Sequence, residues 1–137
     1  MSSISLPSLP DEILIVEHQQ SNRLLLEGQL QVFGLSPDIL SSADDVLEAL
    51  MEKRYKLIFL DMDMPSMNSI ETTQLIRQAE SQLKWPRSRI IGYTENQSYE
   101  LQPQCIEAGM DAVYAKAGTL HILSEVFKLR VKYIYAS

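Results

Sequence analysis

The chain is poor in the residues that would mark several common kinds of protein. It has a single cysteine, Cys105, so no internal disulfide can form. Its neighbours Ile106 and Ala108 point to a half-buried helix position, a packing residue rather than a reactive thiol. Lysine and arginine nowhere cluster and the formal net charge is -6, which argues against a nucleic-acid surface, because phosphate binding rewards gathered positive charge. No apolar run is long enough to span a bilayer, and Met1 to Pro10, "MSSISLPSLP", lacks the basic start and greasy stretch of a signal peptide. A cytoplasmic chain with no membrane partner is the expectation. Internal repeats and low-complexity tracts are also missing.

The remaining composition, 45% hydrophobic and 22% charged over 137 residues, is that of one globular domain with one core. Residues 1-11 read as a flexible leader and 12-137 as a single domain. Five short apolar runs alternate with five helical patterns. The runs are 12–16, 35–40 (weakened by Pro37, hence an edge), 56–61, 89–93 and 112–115. The first helix fits 21–33, with Leu24, Leu25, Leu26, Leu30 and Phe33 inward and Gly34 as its stop. The second starts at a Ser42 cap, carries Asp44 and Asp45 in its first turn and Lys53 and Arg54 in its last, and turns Val46, Leu47, Leu50 and Met51 inward. The third fits 69–82 with Ile70, Thr73, Leu75 and Ile76. The fourth starts near Gln102, where Pro103 fits a first turn, and runs to Gly109; the fifth spans 119–134.

Buried strands alternating with helices make a parallel sheet covered on both faces. Ligands of such sheets bind beyond the carboxyl ends of the strands. The residues at those ends are Glu17 and His18, Asp61 and Asp63, Thr94, and Lys116. Gathered carboxylates repel one another unless a cation sits among them, and a hard divalent ion such as Mg2+ suits that setting. A hydroxyl and a lysine opposite complement the oxygens of a phosphoryl group in transfer. Asp61, nearest the strand end, is the natural nucleophile, while Asp63 offers a carbonyl or carboxylate to the metal.

Four segments, "ILIVEHQQSNRLLL", "LIFLDMDMPSMNSIE", "IIGYTEN" and "AGMDAVYAKAG", together resemble, in order and separation, the response-regulator receiver domain of two-component signalling, most of all receivers attached to hybrid sensor kinases. The resemblance covers Glu12 to about Tyr133. It implies a flavodoxin-like (CheY-like) (βα)5 fold with strand order 2-1-3-4-5. It also implies phosphorylation of Asp61 by a histidine kinase or histidine phosphotransfer protein, Thr94 and Lys116 on the phosphoryl group, and Mg2+ held by Glu17, Asp61 and Asp63. Self-phosphorylation from a donor and slow self-dephosphorylation would be its only chemistry, and a downstream protein its output partner.

The departures from the family pattern are specific. His18 stands where the family has a second acidic residue; imidazole is a poor Mg2+ ligand that suits transition metals better, so the metal affinity is expected to fall or change preference, with Asp63 a partial compensation as an extra carboxylate in the pocket. Asn68-Ser69 replaces a glycine turn, which the left-handed tolerance of asparagine allows. Ala117 replaces the proline after the lysine, so a trans peptide is expected there. Val113 occupies the aromatic switch position, with Tyr114 pointing to the other face. Two further readings follow. One is a pseudo-receiver that binds a partner without phosphoryl chemistry. The other rests on "FLDMDMPS", which also resembles the nucleophile motif of haloacid-dehalogenase phosphatases, although those place it on the first strand and are longer.

Blander roles remain for the other residues. His18 would cap the first helix or bond locally, His121 lies at the surface, Trp85 is a packing plug, and Met62, Met64 and Met67 pack the loop. In the last helix Leu120, Leu123, Phe127 and Val131 form one apolar stripe and Ile122, Val126, Leu129 and Tyr133 a second, extended by Ile134 and Tyr135. The second stripe suggests a homodimer or partner surface.

Overall fold

The computed structural model describes residues 12–32, 34–63, 69–95 and 102–115. The leader, Met64 and Met67, Asn68, Lys116, Ala117, His121 and the whole last helix with its second apolar stripe lie outside the described residues. Five parallel strands, β1 (Ile13–Val16), β2 (Asp38–Leu40), β3 (Leu57–Asp61), β4 (Arg89–Thr94) and β5 (Ala112–Ala115), form one sheet in the order β2-β1-β3-β4-β5. That is the order the resemblance implied. Four helices connect them: α1 (Gln20–Val32), α2 (Val46–Glu52), α3 (Ser69–Leu83) and α4 (Gln102–Ala108).

The strand residues alternate between two cores, as side chains of period two must when both faces of a sheet are covered. Leu14, Val16, Ile58, Leu60, Ile90 and Val113 join Val46, Leu50, Ile76 and Cys105 on the face of α2, α3 and α4. Ile13, Ile15, Leu57, Phe59, Ile91 and Tyr93 join Leu26 and Leu30 of α1 on the other. Val113 and Tyr114 fall on opposite faces, as alternation required. Cys105 is wholly buried rather than half-buried, and burial pushes its thiol up. Trp85 packs on the first core, with the Arg54 guanidinium 3.7 Å above its ring.

In α1 and α2 the buried stripe is narrower than the sequence suggested, and in α3 it is shifted. Leu24 and Leu25 of α1 are exposed, because at 3.6 residues per turn a residue two before Leu26 lies nearly opposite it. In α2 the inward pair is Val46 and Leu50, four residues apart, while Leu47 and Met51 face out. In α3 Leu75 is exposed, and the buried line runs through Ser69, Thr72, Thr73, Ile76 and Glu80. Ser42 does cap its turn by accepting from the Asp44 amide, but Ala43–Asp45 wind as a 3-10 turn before α2 begins. α2 stops at Glu52, so Lys53 and Arg54 lie past its end and Lys53 instead pairs with Asp38 at 3.1 Å.

Two helices end on left-handed glycines. After α1, Gly34 at φ 76 lets its own amide donate to Gln31 and that of Leu35 to Leu30; after α4, Gly109 at φ 121 repeats the pattern with Ile106 and Met110 with Cys105. These closures turn the chain directly into β2 and β5. On β4, Gly92 lies beneath Met62 and Met110, whose sulfurs come within 3.0 and 2.7 Å of where a Cβ would stand. The strand beside Asp61 thus makes room for the loop that follows Asp61.

Candidate functional site

Strand register brings the acidic residues together. Val16 pairs with Leu60 and Asp61 with Tyr93, so Glu17, Asp61 and Thr94 reach the same edge of three neighbouring strands. Glu17 and Asp61 are completely buried and Thr94 nearly so. Burying two carboxylates is costly unless each is hydrogen-bonded, and both are.

Glu17 is held at both oxygens. The Tyr93 hydroxyl donates to Oε1 at 3.1 Å and the Gln19 amide donates to Oε2 at 3.0 Å. Burial above all, and then the charges of Glu17 and Asp61, push the Tyr93 hydroxyl far above the ordinary tyrosine range, so it remains a proton donor. Arg23 of α1 fixes the loop beneath by donating from Nη1 to the backbone carbonyls of Glu17 and His18.

Asp61 is oriented in the same way. The Asp63 amide donates to Oδ1 at 2.8 Å, and His18 approaches Oδ2 with Nδ1 at 2.6 Å. His18 Nδ1 is also 3.4 Å from Glu17 Oε2. Ser69, at the start of α3, donates from Oγ to the Asp61 carbonyl at 3.1 Å, which ties the strand end to the following helix. Local bonding or helix capping was the expectation for His18. Its ring instead spans 43 residues of sequence to reach Asp61, because β1 and β3 are neighbours in the sheet.

Glu17, His18 and Asp61 each offer one ligand atom within 4.8 Å of the others, a group able to hold a metal ion. Asp63 is outside that group. Its Oδ1 accepts from the Thr94 hydroxyl at 2.7 Å and its Oδ2 from the Glu95 amide at 2.7 Å. Asp63 and Thr94 are therefore neighbours, but through a bond to each other.

The structure thus brings together Glu17, His18, Asp61, Asp63 and Thr94. Tyr93, Arg23 and Ser69 complete the site without having been singled out as its parts. Tyr93 had a signal in the sequence, since it sits beside Thr94 on a strand; which group it would meet depended on register. The other two act through backbone carbonyls, which no spacing reveals.

Comparison with known proteins agrees with this architecture. Residues 13–128 match the family model described as "Response regulator receiver domain". The chain is 32% identical over 120 residues to "Hybrid signal transduction histidine kinase L" of Dictyostelium discoideum, covering 85% of this chain and 7% of that protein. It is also 32% identical over 117 residues to "Sensor histidine kinase RcsC" of Escherichia coli, covering 85% of this chain and 12% of that one. The chain therefore spans a small part of the length of these relatives. Among solved structures, the receiver domain of the histidine kinase CKI1 from Arabidopsis thaliana, complexed with Mg2+ and BeF3-, superposes with a TM-score of 0.73 at 23% identity, over 85% of this chain and 89% of that one. The response regulator TrrA from Thermotoga maritima, in complex with Mg2+ and BeF, gives a TM-score of 0.72 at 25% identity, over 86% and 97%. With its 2-1-3-4-5 sheet and an aspartate buried at the end of the central strand, the chain belongs to the response-regulator receiver family and is a receiver domain of two-component phosphorelay signalling.

Proposed function

We propose that this receiver accepts a phosphoryl group on Asp61 from a phosphohistidine, carried by a histidine kinase or histidine phosphotransfer protein, and that the modified state changes its contacts with a downstream protein. The observation that carries the reading is Asp61 itself: fully buried, at the carboxyl end of β3, with Oδ1 pinned by the Asp63 amide so that its carboxylate faces the strand ends. A held nucleophile avoids the entropy of finding its partner. One carboxylate oxygen forms a bond to phosphorus as the nitrogen–phosphorus bond of the donor breaks; the electron pair leaves with the imidazole, which takes up a proton, and an acyl phosphate remains.

The convergence of Glu17 and Asp61 fits a divalent cation. A divalent cation in this role, Mg2+ in the family pattern, would be held by Glu17, Asp61 and the backbone carbonyl of Asp63 and would neutralise the phosphoryl oxygens. Tyr93 and Gln19 keep the Glu17 carboxylate aimed at this point, and Arg23 holds the loop that carries it. Thr94 reaches the phosphoryl group by exchanging its bond to Asp63 for one to a phosphoryl oxygen, and Lys116, one residue beyond β5, is the cationic partner the sequence supplies. Asp61 lies on the third strand of the chain, which sets aside the phosphatase reading with its first-strand nucleophile.

The 2.6 Å contact of His18 with Asp61 favours one rival, a receiver that binds its partner without phosphorylation. Intact-protein mass spectrometry after incubation with acetyl phosphate and Mg2+ separates the two. One phosphoryl group added to the native chain and none to Asp61→Asn is the expected result. No addition with either Mg2+ or Co2+, under conditions that modify an ordinary receiver, would establish the interaction module instead.

A further inference from the structure

His18 is the residue of this pocket whose chemistry does not match a Mg2+ site. Mg2+ takes oxygen ligands and holds its waters, whereas an imidazole nitrogen suits Zn2+, Co2+ and their neighbours. His18 is also not a bystander. Its Nδ1 stands 2.6 Å from Asp61 Oδ2 and 3.4 Å from Glu17 Oε2, inside the same pocket that would receive the cation. Ligand bonds of about 2.0 to 2.2 Å set adjacent ligand atoms about 3 Å apart, so both separations already bracket what one small cation requires.

We propose that His18 makes the acidic pocket a mixed nitrogen–oxygen site, with Glu17, His18 and Asp61 as its side-chain ligands, which selects a transition-metal cation of the Zn2+ and Co2+ class over Mg2+. The proposal rests on the reading of this pocket as the receiver's cation site and specifies which cation it takes.

Three features of the structure support it besides the ligand set. The two carboxylates are oriented from outside the pocket: Glu17 by Tyr93 and Gln19, Asp61 by the Asp63 amide. Bonds of this outer kind fix ligand direction and raise affinity. The loop bearing Glu17 and His18 is fixed from α1 by the Arg23 guanidinium on both their carbonyls. The His18 side chain is 29% exposed while the two carboxylates it contacts are wholly buried, so the imidazole is the solvent-facing member of the group. A cation held here would lie between the His18 Nδ1 and the carboxylate oxygens of Glu17 and Asp61.

The test is calorimetric titration of the full chain with MgCl2, ZnCl2 and CoCl2, with no phosphodonor, beside His18→Asp, His18→Gln and a His121→Gln control. Visible absorption of the Co2+ complex is recorded in parallel, because its ligand-field bands shift with the donor set and loss of an imidazole nitrogen changes them. The ratio of Zn2+ to Mg2+ affinity is expected to fall by at least about tenfold in His18→Asp, through weaker Zn2+ and stronger Mg2+ binding. His18→Gln should lose the Co2+ nitrogen signature, and His121→Gln should keep it. An unchanged ratio in His18→Asp, or the native Co2+ spectrum in His18→Gln, would overturn the proposal. Because no phosphoryl transfer is involved, a chain that binds Zn2+ through His18 yet takes no phosphoryl group from acetyl phosphate with either Mg2+ or Co2+ present would refute the phosphoacceptor reading and sustain this one.

Discussion

Among the described residues Arg77 on α3 is the most heavily bonded side chain outside the pocket, and replacing it with methionine tests how α3 is held to the amino ends of β4 and β5, away from the pocket. The guanidinium donates through Nε and Nη2 to the Gly109 carbonyl at 2.9 and 2.8 Å, through Nη1 to the Ser88 carbonyl at 2.7 Å, and to Glu80 at 2.8 Å and Asp111 at 3.0 Å. It thereby joins α3 to the turns that open β4 and β5. Arg77→Met keeps the stem and removes the charge, leaving Glu80 at 9% side-chain exposure without its ion partner. Breaking one side of a buried pair costs about 3 to 5 kcal/mol. Glu80 keeps two bonds to Ser88, through the backbone amide at 2.8 Å and the hydroxyl at 2.7 Å. The lower end, about 3 kcal/mol, is therefore the expected loss in a urea melt. In Arg77→Met/Glu80→Gln the combined loss should fall short of the sum of the single losses by at least about 0.5 kcal/mol, because the orphaned charge is gone. A loss below about 1 kcal/mol for Arg77→Met, or strict additivity in the pair, would refute the view that this guanidinium is a buried clamp.

Asp63→Ala separates two roles for that carboxylate. With Asp63 serving to hold Thr94, acetyl phosphate labelling of Asp61 should speed up, by up to about tenfold, the equivalent of one charged hydrogen bond released; slower labelling would mark the Asp63 side chain as a metal ligand. Asp111 gives a pH-dependent prediction. Burial raises its carboxyl, but the Ile90 amide and the Arg87 and Arg77 guanidiniums outweigh that and hold it below the usual carboxylate range. A lowered folded value stabilises the fold above the unfolded aspartate range, near about 3.9, and that contribution is lost as pH falls through the folded value. Native protein should therefore exceed Asp111→Asn by about 1 to 2 kcal/mol at pH 7 in urea melts, with that advantage shrinking progressively as the pH falls below the unfolded aspartate range, whereas a gap independent of pH would contradict it.

The sequence by itself determined the order of elements, the parallel sheet and the identity of the acidic edge. Those are consequences of local patterning: four or five apolar residues make a buried strand wherever they fall, and polar residues just past strand ends lie together once the strands are parallel. Most strand boundaries were accordingly close, with β5 at Ala112–Ala115 and β3 starting one residue later than expected, whereas β2 keeps only Asp38–Leu40 of the expected 35–40. Helix faces were read too broadly. An apolar residue such as Leu24 or Met51 looks inward in a list, but only the angle at which a helix meets the sheet selects Leu26 and Leu30, or Val46 and Leu50, for burial. The site divided along the same line. Residue types named Asp61, Glu17 and Thr94, because the chemistry needs a carboxylate pair and a hydroxyl. The partners of those residues depended on register across strands far apart in sequence, and only the tertiary structure set His18 against Asp61, Tyr93 against Glu17 and Asp63 against Thr94. Distances of 2.6 to 3.1 Å between residues 31 to 76 positions apart are a property of the folded sheet, and no periodicity along the chain encodes them.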